Sequence, residues 1–139
     1  MRDKRFLIVA VMLLMVFALS GTALAAPTVY LDNQQLTFTD TQPIIEDGRT
    51  LVPLRAIFEA MGAKVEWNQD TQTATATKRE TNVILQIGST TPTVNGQVVR
   101  LDVPGKIVNG RTLAPLRFVG EAFGGNVRWE ATTETIYIT

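Results

Sequence analysis

Two glutamates, Glu59 and Glu121, are the side chains with which this sequence could do acid–base chemistry. A pair of carboxylic acids can hydrolyse a glycosidic bond, one as the acid and the other as the base or nucleophile. Each glutamate, however, follows an arginine by four residues, Arg55 or Arg117. Charges at this spacing pair on one side of a helix, which explains both glutamates without catalysis. We favour the ion pair and keep a small carboxylate-dependent glycan hydrolase as the alternative.

Two arginines and two tryptophans are the candidate ligand-binding residues. Arg49 and Arg111 each follow a tight turn, where a guanidinium could bind a carboxylate or an anionic glycan, or satisfy carbonyl groups of its own loop. Because the same residue stands in both places, the internal role is favoured. Trp67 and Trp129 could stack on sugars. Each lies two residues after a valine in an alternating strand, which favours a core or half-buried position.

The sequence contains neither histidine nor cysteine. This excludes zinc and copper sites built on imidazole or thiolate, as well as Ser-His-Asp and Cys-His nucleophiles. We therefore predict no catalytic residues, no bound metal and no cofactor, in a protein that is not an enzyme. Calcium sites built on oxygen alone stay conceivable, because Asp47, Asp70 and Asp102 lie in predicted turns, although no loop has the acidic spacing of an EF-hand.

These candidate residues belong to one pattern that occurs twice. The segment Gly-Arg-Thr-Leu-Val-Pro-Leu-Arg at 48–55 returns 62 residues later, at 110–117, with one alanine for valine. From 47/109 to 77/139, fifteen of thirty-one positions are identical. The same offset pairs Asn33 with Asn95. The sequence therefore predicts a tandem duplicated unit, about residues 28–77 and 90–139.

Each copy predicts one amphipathic helix. Pro53 and Pro115 suit the first position of a helix, and the residues before them should be extended. In the first copy the apolar residues then recur at helical spacing. Gly62 and Gly124 stand where a left-handed C-terminal cap ends a helix after about ten residues.

Short hairpins surround these helices. The alternation through Val65 and Trp67 predicts one hairpin in the first copy, and the equivalent stretch predicts one in the second. The dipeptide Asn95-Gly96 between apolar residues predicts another. We therefore predict an α+β fold in which each copy has short antiparallel strands, a hairpin and one helix. The two copies pack as one body, with the charged stretch 78–82 as the seam.

One position in the repeat differs sharply in size. Gly120 stands where the first copy has Phe58, in the middle of a helix. Glycine there costs roughly 1 kcal/mol relative to alanine, so the sequence predicts a packing reason. We expect Gly120 to make room for a bulky group, with Phe58 or Phe118 as the candidate.

The N-terminus has the pattern of a signal peptide. A basic start, an apolar run from Phe6 to Leu19 and a small-residue site ending at Ala25 predict cleavage after residue 25. The alternative is an uncleaved anchor, for which the apolar run is short. We predict a secreted or cell-surface protein, residues 26–139, with no membrane span after cleavage.

The charge balance predicts no nucleic-acid partner. Three of the 13 basic residues and one of the 13 acidic residues precede Ala26, which leaves 10 and 12 and a formal net charge of −2. Binding to nucleic acid would require an excess of basic residues.

The export signal, the repeated eight-residue motif and the Val-x-Trp hairpins closely resemble the copper amine oxidase N-terminal-like domain family, also called stalk domains, of exported bacterial proteins. The resemblance covers nearly all of residues 26–139. It implies an α+β unit in which a small antiparallel sheet packs against helices, and a non-catalytic appendage of envelope proteins. It implies no site residues.

We therefore expect a secreted, non-catalytic module that binds or spaces something in the cell envelope. The expected partner is wall polysaccharide or another envelope protein. The alternatives are the glycan hydrolase using Glu59 and Glu121, and a purely structural module that associates with itself.

Overall fold

The computed structural model describes residues 26–139, and the predicted signal peptide lies outside them. The described chain is mostly β-sheet with two short helices, an α+β composition as predicted. In chain order the elements are β1 (Thr28–Leu31), β2 (Gln34–Leu36), β3 (Ile44–Glu46), β4 (Arg49–Pro53), α1 (Leu54–Ala60), β5 (Lys64–Asn68), β6 (Thr73–Lys78), β7 (Thr81–Gln86), β8 (Thr93–Val94), β9 (Gln97–Val98), β10 (Lys106–Val108), β11 (Arg111–Pro115), α2 (Leu116–Glu121), β12 (Val127–Glu130) and β13 (Thr135–Ile138).

The strands form three sheets. The first has the order β12-β13-β1-β2, the central one β10-β11-β4-β3, and the third β5-β6-β7-β8-β9. All pairs are antiparallel except β1 with β13, which run parallel from Thr28 beside Thr135 to Leu31 beside Ile138. The prediction concerned antiparallel strands within each copy, whereas this parallel pair joins one strand from each predicted copy. Parallel neighbours need a long crossover connection, and here almost the whole chain separates the two strands.

The central sheet joins the two predicted copies through β4 and β11. Val52 pairs with Ala114, Leu51 with Pro115, and Pro53 with Leu113. This register is unchanged when each residue is exchanged for the one 62 positions away. The two strands are thus related by an approximate two-fold axis at the pair formed by residues 52 and 114.

The central sheet also curls back on itself. Lys106 lies on one outer strand and Glu46 on the other, yet Lys106 Nζ lies 2.7 Å from a carboxylate oxygen of Glu46. In a flat sheet, three strand spacings of about 14 Å in total, together with a four-residue offset in register, would hold the two side chains beyond their combined reach. Strong twist therefore brings β3 and β10 close together.

Each of the two outer sheets contains strands from both predicted copies. Strands β1 and β2 precede the central sheet in the chain but pair with the C-terminal hairpin β12-β13. In the third sheet, β8 and β9 of the predicted second copy join β5 and β6 of the first through β7. The stretch 78–82, predicted as the seam, forms the tight turn between β6 and β7 within this sheet.

The N-terminal hairpins lie 63 residues apart, one more than the repeat. Asp32 and Asn33 have positive φ in the first turn, whereas Asn95 and Gly96 have it in the second. Positive φ at both central residues is the turn that Asn-Gly favours, so that hairpin is confirmed. The pairing of Asn33 with Asn95 is wrong by one residue, because the stretch from the turn to the next strand of the central sheet is one residue longer after the first turn than after the second.

Both helices are shorter than the predicted ten residues, with seven in α1 and six in α2. Pro53 belongs to β4, with ψ at 114°, so the helix begins after it and not at it. Gly62 has φ of +92° and donates to the Glu59 carbonyl, while Ala63 donates to the Phe58 carbonyl at 2.9 Å. This pair of hydrogen bonds is the Schellman arrangement, and it ends α1 as the glycine predicts.

Gly120 has the packing reason that was predicted, but with a different neighbour. A Cβ atom at Gly120 would lie 2.2 Å from Val127 Cγ2 and 3.7 Å from Ile138. The expectation of Phe58 or Phe118 is therefore wrong, because the C-terminal hairpin covers this face of α2. Phe58 instead packs edge-on against Phe123, with ring centroids 4.9 Å apart.

Candidate functional site

Two grooves collect the residues that the sequence marks for chemistry. The first groove, of about 580 Å³, is lined by the segment 37–41, by α1 and β5, and by Ile107, Arg111 and their neighbours from the second copy. The second groove, of about 900 Å³, is lined by the segment 99–103, by α2 and Trp129, and by Ile45, Arg49 and their neighbours from the first copy. Each groove is therefore built from both predicted copies.

Reciprocal ion pairs link the two predicted copies at the grooves. Arg49 lies 2.5 Å from a carboxylate oxygen of Asp102, which belongs to the other copy. Arg111 pairs with Asp40 in the opposite direction, with its Nε donating at 3.1 Å. The prediction that these arginines bond to carbonyl groups of their own loops is wrong. Their acceptors are carboxylates 53 and 71 residues away in the chain.

Asp40 and Asp102 are the residues that the sequence interpretation missed as partners of these arginines. They too stand 62 residues apart, so the repeat contains the signal. An aspartate and an arginine repeated at one offset form two equivalent pairs, either within each copy or between the copies. The structure adopts the second arrangement.

The glutamates form the ion pairs that their spacing predicts. Arg55 lies 3.7 Å from Glu59, and Arg117 lies 3.9 Å from Glu121. Arg55 also donates to the Val65 carbonyl at 3.0 Å, which ties α1 to β5. Glu59 lines the first groove and Glu121 the second, so the structure does not bring the two carboxylates into one groove.

The two tryptophans occupy equivalent places with different exposure. Trp67 is half-buried, packs against the core, and donates from its indole nitrogen to Gln69 at 2.9 Å. Trp129 is 37% exposed. The predicted core or half-buried position holds for Trp67, whereas Trp129 is exposed, although both tryptophans lie on edge strands.

A family model for the copper amine oxidase N-terminal domain matches residues 30–138. The chain belongs to this family. The match covers both grooves, both helices and all three sheets, and the family is that of a non-catalytic domain. No curated protein matches the chain.

In this copper amine oxidase N-terminal domain, the two grooves differ most in one wall. The first wall, residues 37–41, reads Thr-Phe-Thr-Asp-Thr, and the second, residues 99–103, reads Val-Arg-Leu-Asp-Val. Only the aspartate is common to both. The exposed wall residues of the first groove are Thr37, Thr39 and Asp40, and those of the second are Arg100 and Asp102. Phe38 in the first wall, like Val99 and Leu101 in the second, packs against the core.

The acidic residues of the domain are dispersed. Across residues 26–139 no group of three or more acidic residues is placed to hold a metal ion. The same stretch contains no helix with the length and apolar character needed to span a bilayer. The charged side chains of both grooves are instead engaged in ion pairs, with the exception of Arg100, within the described part of the chain.

Proposed function

We propose that this chain is a secreted, non-catalytic binding module of the cell envelope and that its first groove binds wall polysaccharide. The observation that supports the proposal is the joining, in one groove, of a partly exposed tryptophan with hydroxyl, amide and paired charged groups. The family match supports a non-catalytic domain. The sequence of residues 1–25 supports export.

The first groove offers the two kinds of contact that a sugar ring needs. The apolar face of a sugar can lie on an indole, and Trp67 is held in place by its bond to Gln69. Sugar hydroxyls need donors and acceptors, which Thr37, Thr39 and the Arg111–Asp40 pair can provide. Wall polysaccharide is rich in both apolar ring faces and hydroxyl groups.

We infer that the segments related by 62 residues are copies of one duplicated unit, each with an amphipathic helix. In α1 the buried residues are Leu54, Ile57 and Phe58, while Arg55 and Glu59 are exposed. The equivalent register in β4 and β11 supports two copies that pack as one body.

Retention on purified cell wall tests the binding function. The protein should remain bound through washing, and Trp67→Ala should weaken its affinity about tenfold, the effect of losing roughly 1.4 kcal/mol. Trp129→Ala is the matched control because it changes the equivalent tryptophan of the other groove. Recovery of the whole protein in the wash, or an equal effect of both substitutions, would contradict the proposal.

Two further measurements separate the alternatives. Release of soluble sugar from the wall, abolished by Glu59→Gln or Glu121→Gln with the fold intact, would identify a hydrolase. Light scattering at several concentrations would identify a self-associating structural module. Export itself predicts that the protein isolated from culture begins at Ala26, which N-terminal sequencing checks.

A further inference from the structure

The second groove has several apolar side chains in its lining. Val99 and Leu101 are half-buried and pack against the core from the groove wall. Ile45 is 52% exposed and Trp129 is 37% exposed along the same groove. Apolar side chains that stay accessible around a concave surface are typical of a binding site.

The second groove also has one arginine without an ion-pair partner among residues 26–139. Arg49 and Arg117 pair with Asp102 and Glu121. Arg100 is exposed and forms no ion pair within residues 26–139. In the first groove two arginines face two carboxylates, so the excess charge belongs to the second groove alone.

We propose that the second groove binds an extended peptide segment of a partner protein. An aliphatic or aromatic side chain of the peptide enters the apolar lining, and a neighbouring carboxylate pairs with Arg100, whose planar guanidinium suits a carboxylate. A second ligand of this kind goes beyond glycan binding, since it uses the other groove and the other wall.

The charge and the lining favour a peptide over other anionic or apolar partners. Anionic membrane surfaces are recognised by clusters of about four to eight basic residues, whereas this groove has a single unpaired one. A glycan would find fewer hydrogen-bond partners, because Val99, Leu101 and Val103 have no hydroxyl. A peptide with one carboxylate beside one apolar side chain matches the single unpaired arginine and the apolar lining of the groove.

Fluorescence anisotropy with a labelled synthetic peptide tests the proposal. The probe is a short peptide that alternates aspartate with leucine and phenylalanine, and two comparison peptides replace either the aspartates by lysine or the apolar residues by serine. Only the acidic, apolar peptide should bind. Arg100→Glu and Trp129→Ala should each raise its Kd about tenfold or more.

Equivalent substitutions in the first groove provide the controls. Ile45→Ser should weaken peptide binding, whereas Ile107→Ser, at the equivalent and also exposed position, should leave Kd within about twofold. Circular dichroism and the midpoint of urea unfolding establish that each variant is folded. Arg100→Glu changes only an exposed side chain, so it keeps the test valid if the tryptophan variant unfolds.

Several results would overturn the proposal. These are binding of the lysine peptide with equal affinity, an equal loss from Ile107→Ser, or no saturable binding of the acidic peptide. Capture of the protein by phosphatidylglycerol vesicles that depends on Arg100 would identify a membrane site instead. A dimer abolished by Arg100→Glu, without peptide binding, would identify a second copy as the occupant. None of these results bears on wall binding by Trp67, so the two proposals fail separately.

Discussion

The first and second grooves use the same charged frame and differ in the wall that faces the ligand. In both, an arginine from one copy pairs with an aspartate from the other, and a helix presents an Arg–Glu pair beside a tryptophan. The exposed residues of the walls differ, with Thr37 and Thr39 in the first and Arg100 in the second, while the aspartate is common to both. The comparison indicates that the two grooves share the charged frame and differ in the exposed residues beside it.

The two helices also differ at one equivalent position in the core. Phe58 fills its position completely and meets Phe123, whereas Gly120 leaves room for Val127. Both sites are buried. The equivalent positions thus meet different partners, because α1 and α2 are each covered by a different part of the chain.

Truncation of Phe58, the larger of these two residues, should have the largest effect on stability. Phe58→Ala removes a ring with no exposed surface and should lower the free energy of unfolding by about 3 to 5 kcal/mol. Urea unfolding followed by circular dichroism measures the loss. A loss below about 1 kcal/mol would mean that Phe123 moves into the space, and that the contrast with Gly120 has little energetic meaning.

Adding a side chain at Gly120 should have the next largest effect on stability. Gly120→Ala should lower the free energy of unfolding by about 1 to 3 kcal/mol through overpacking against Val127, despite a better helix propensity. Combining it with Val127→Ala should recover part of the loss, with a coupling of roughly 0.5 kcal/mol or more. A Gly120→Ala variant that is as stable as the parent would show that the hairpin yields without cost.

Each ion pair between the predicted copies should contribute little to stability. Each arginine should nevertheless couple energetically to one particular aspartate. Arg49→Met should cost about 0.2 to 1 kcal/mol, because both side chains of the Arg49–Asp102 pair are more than half exposed. A double-mutant cycle with Asp102→Asn should show coupling that falls as salt is added. The control cycle with Asp40→Asn should show none. Coupling to Asp40 instead would place the pairs within each copy.

The smallest expected effect is that of metal ions. Copper or EDTA should leave the melting temperature unchanged, because the chain has no imidazole or thiolate and the groove carboxylates are paired with arginines. Differential scanning fluorimetry with and without each additive measures this. A shift of several degrees would reveal an oxygen-only site, and Asp40→Asn against Asp102→Asn would assign it to one groove.

Local structure was largely predictable because its signals are local. The hairpin at Asn95-Gly96 and the helix end at Gly62 follow from the backbone angles that these residues accept. The helix pairs follow from four-residue spacing. The helix lengths were overestimated, because apolar spacing continues to Met61 although the cap bonds of Gly62 and Ala63 close the helix at Ala60.

The sites were predictable residue by residue but not as assemblies. Glu59, Trp67, Arg49 and their equivalents all line grooves. Alternation and spacing do not identify which distant segment lies opposite. The interpretation of Arg49 therefore assigned it a partner in its own loop, when its partner is in the other copy.

By itself the sequence determined the turns, the cap of the first helix and the charge spacing, since each depends on residues close together in the chain, and it contains the repeat directly. Only the tertiary structure decided that β1 pairs with β13, that β4 pairs with β11, and that each arginine reaches across to the other copy's aspartate. The physical reason is that two similar units offer each strand and each charge two similar partners. Packing of the shared core selects between them.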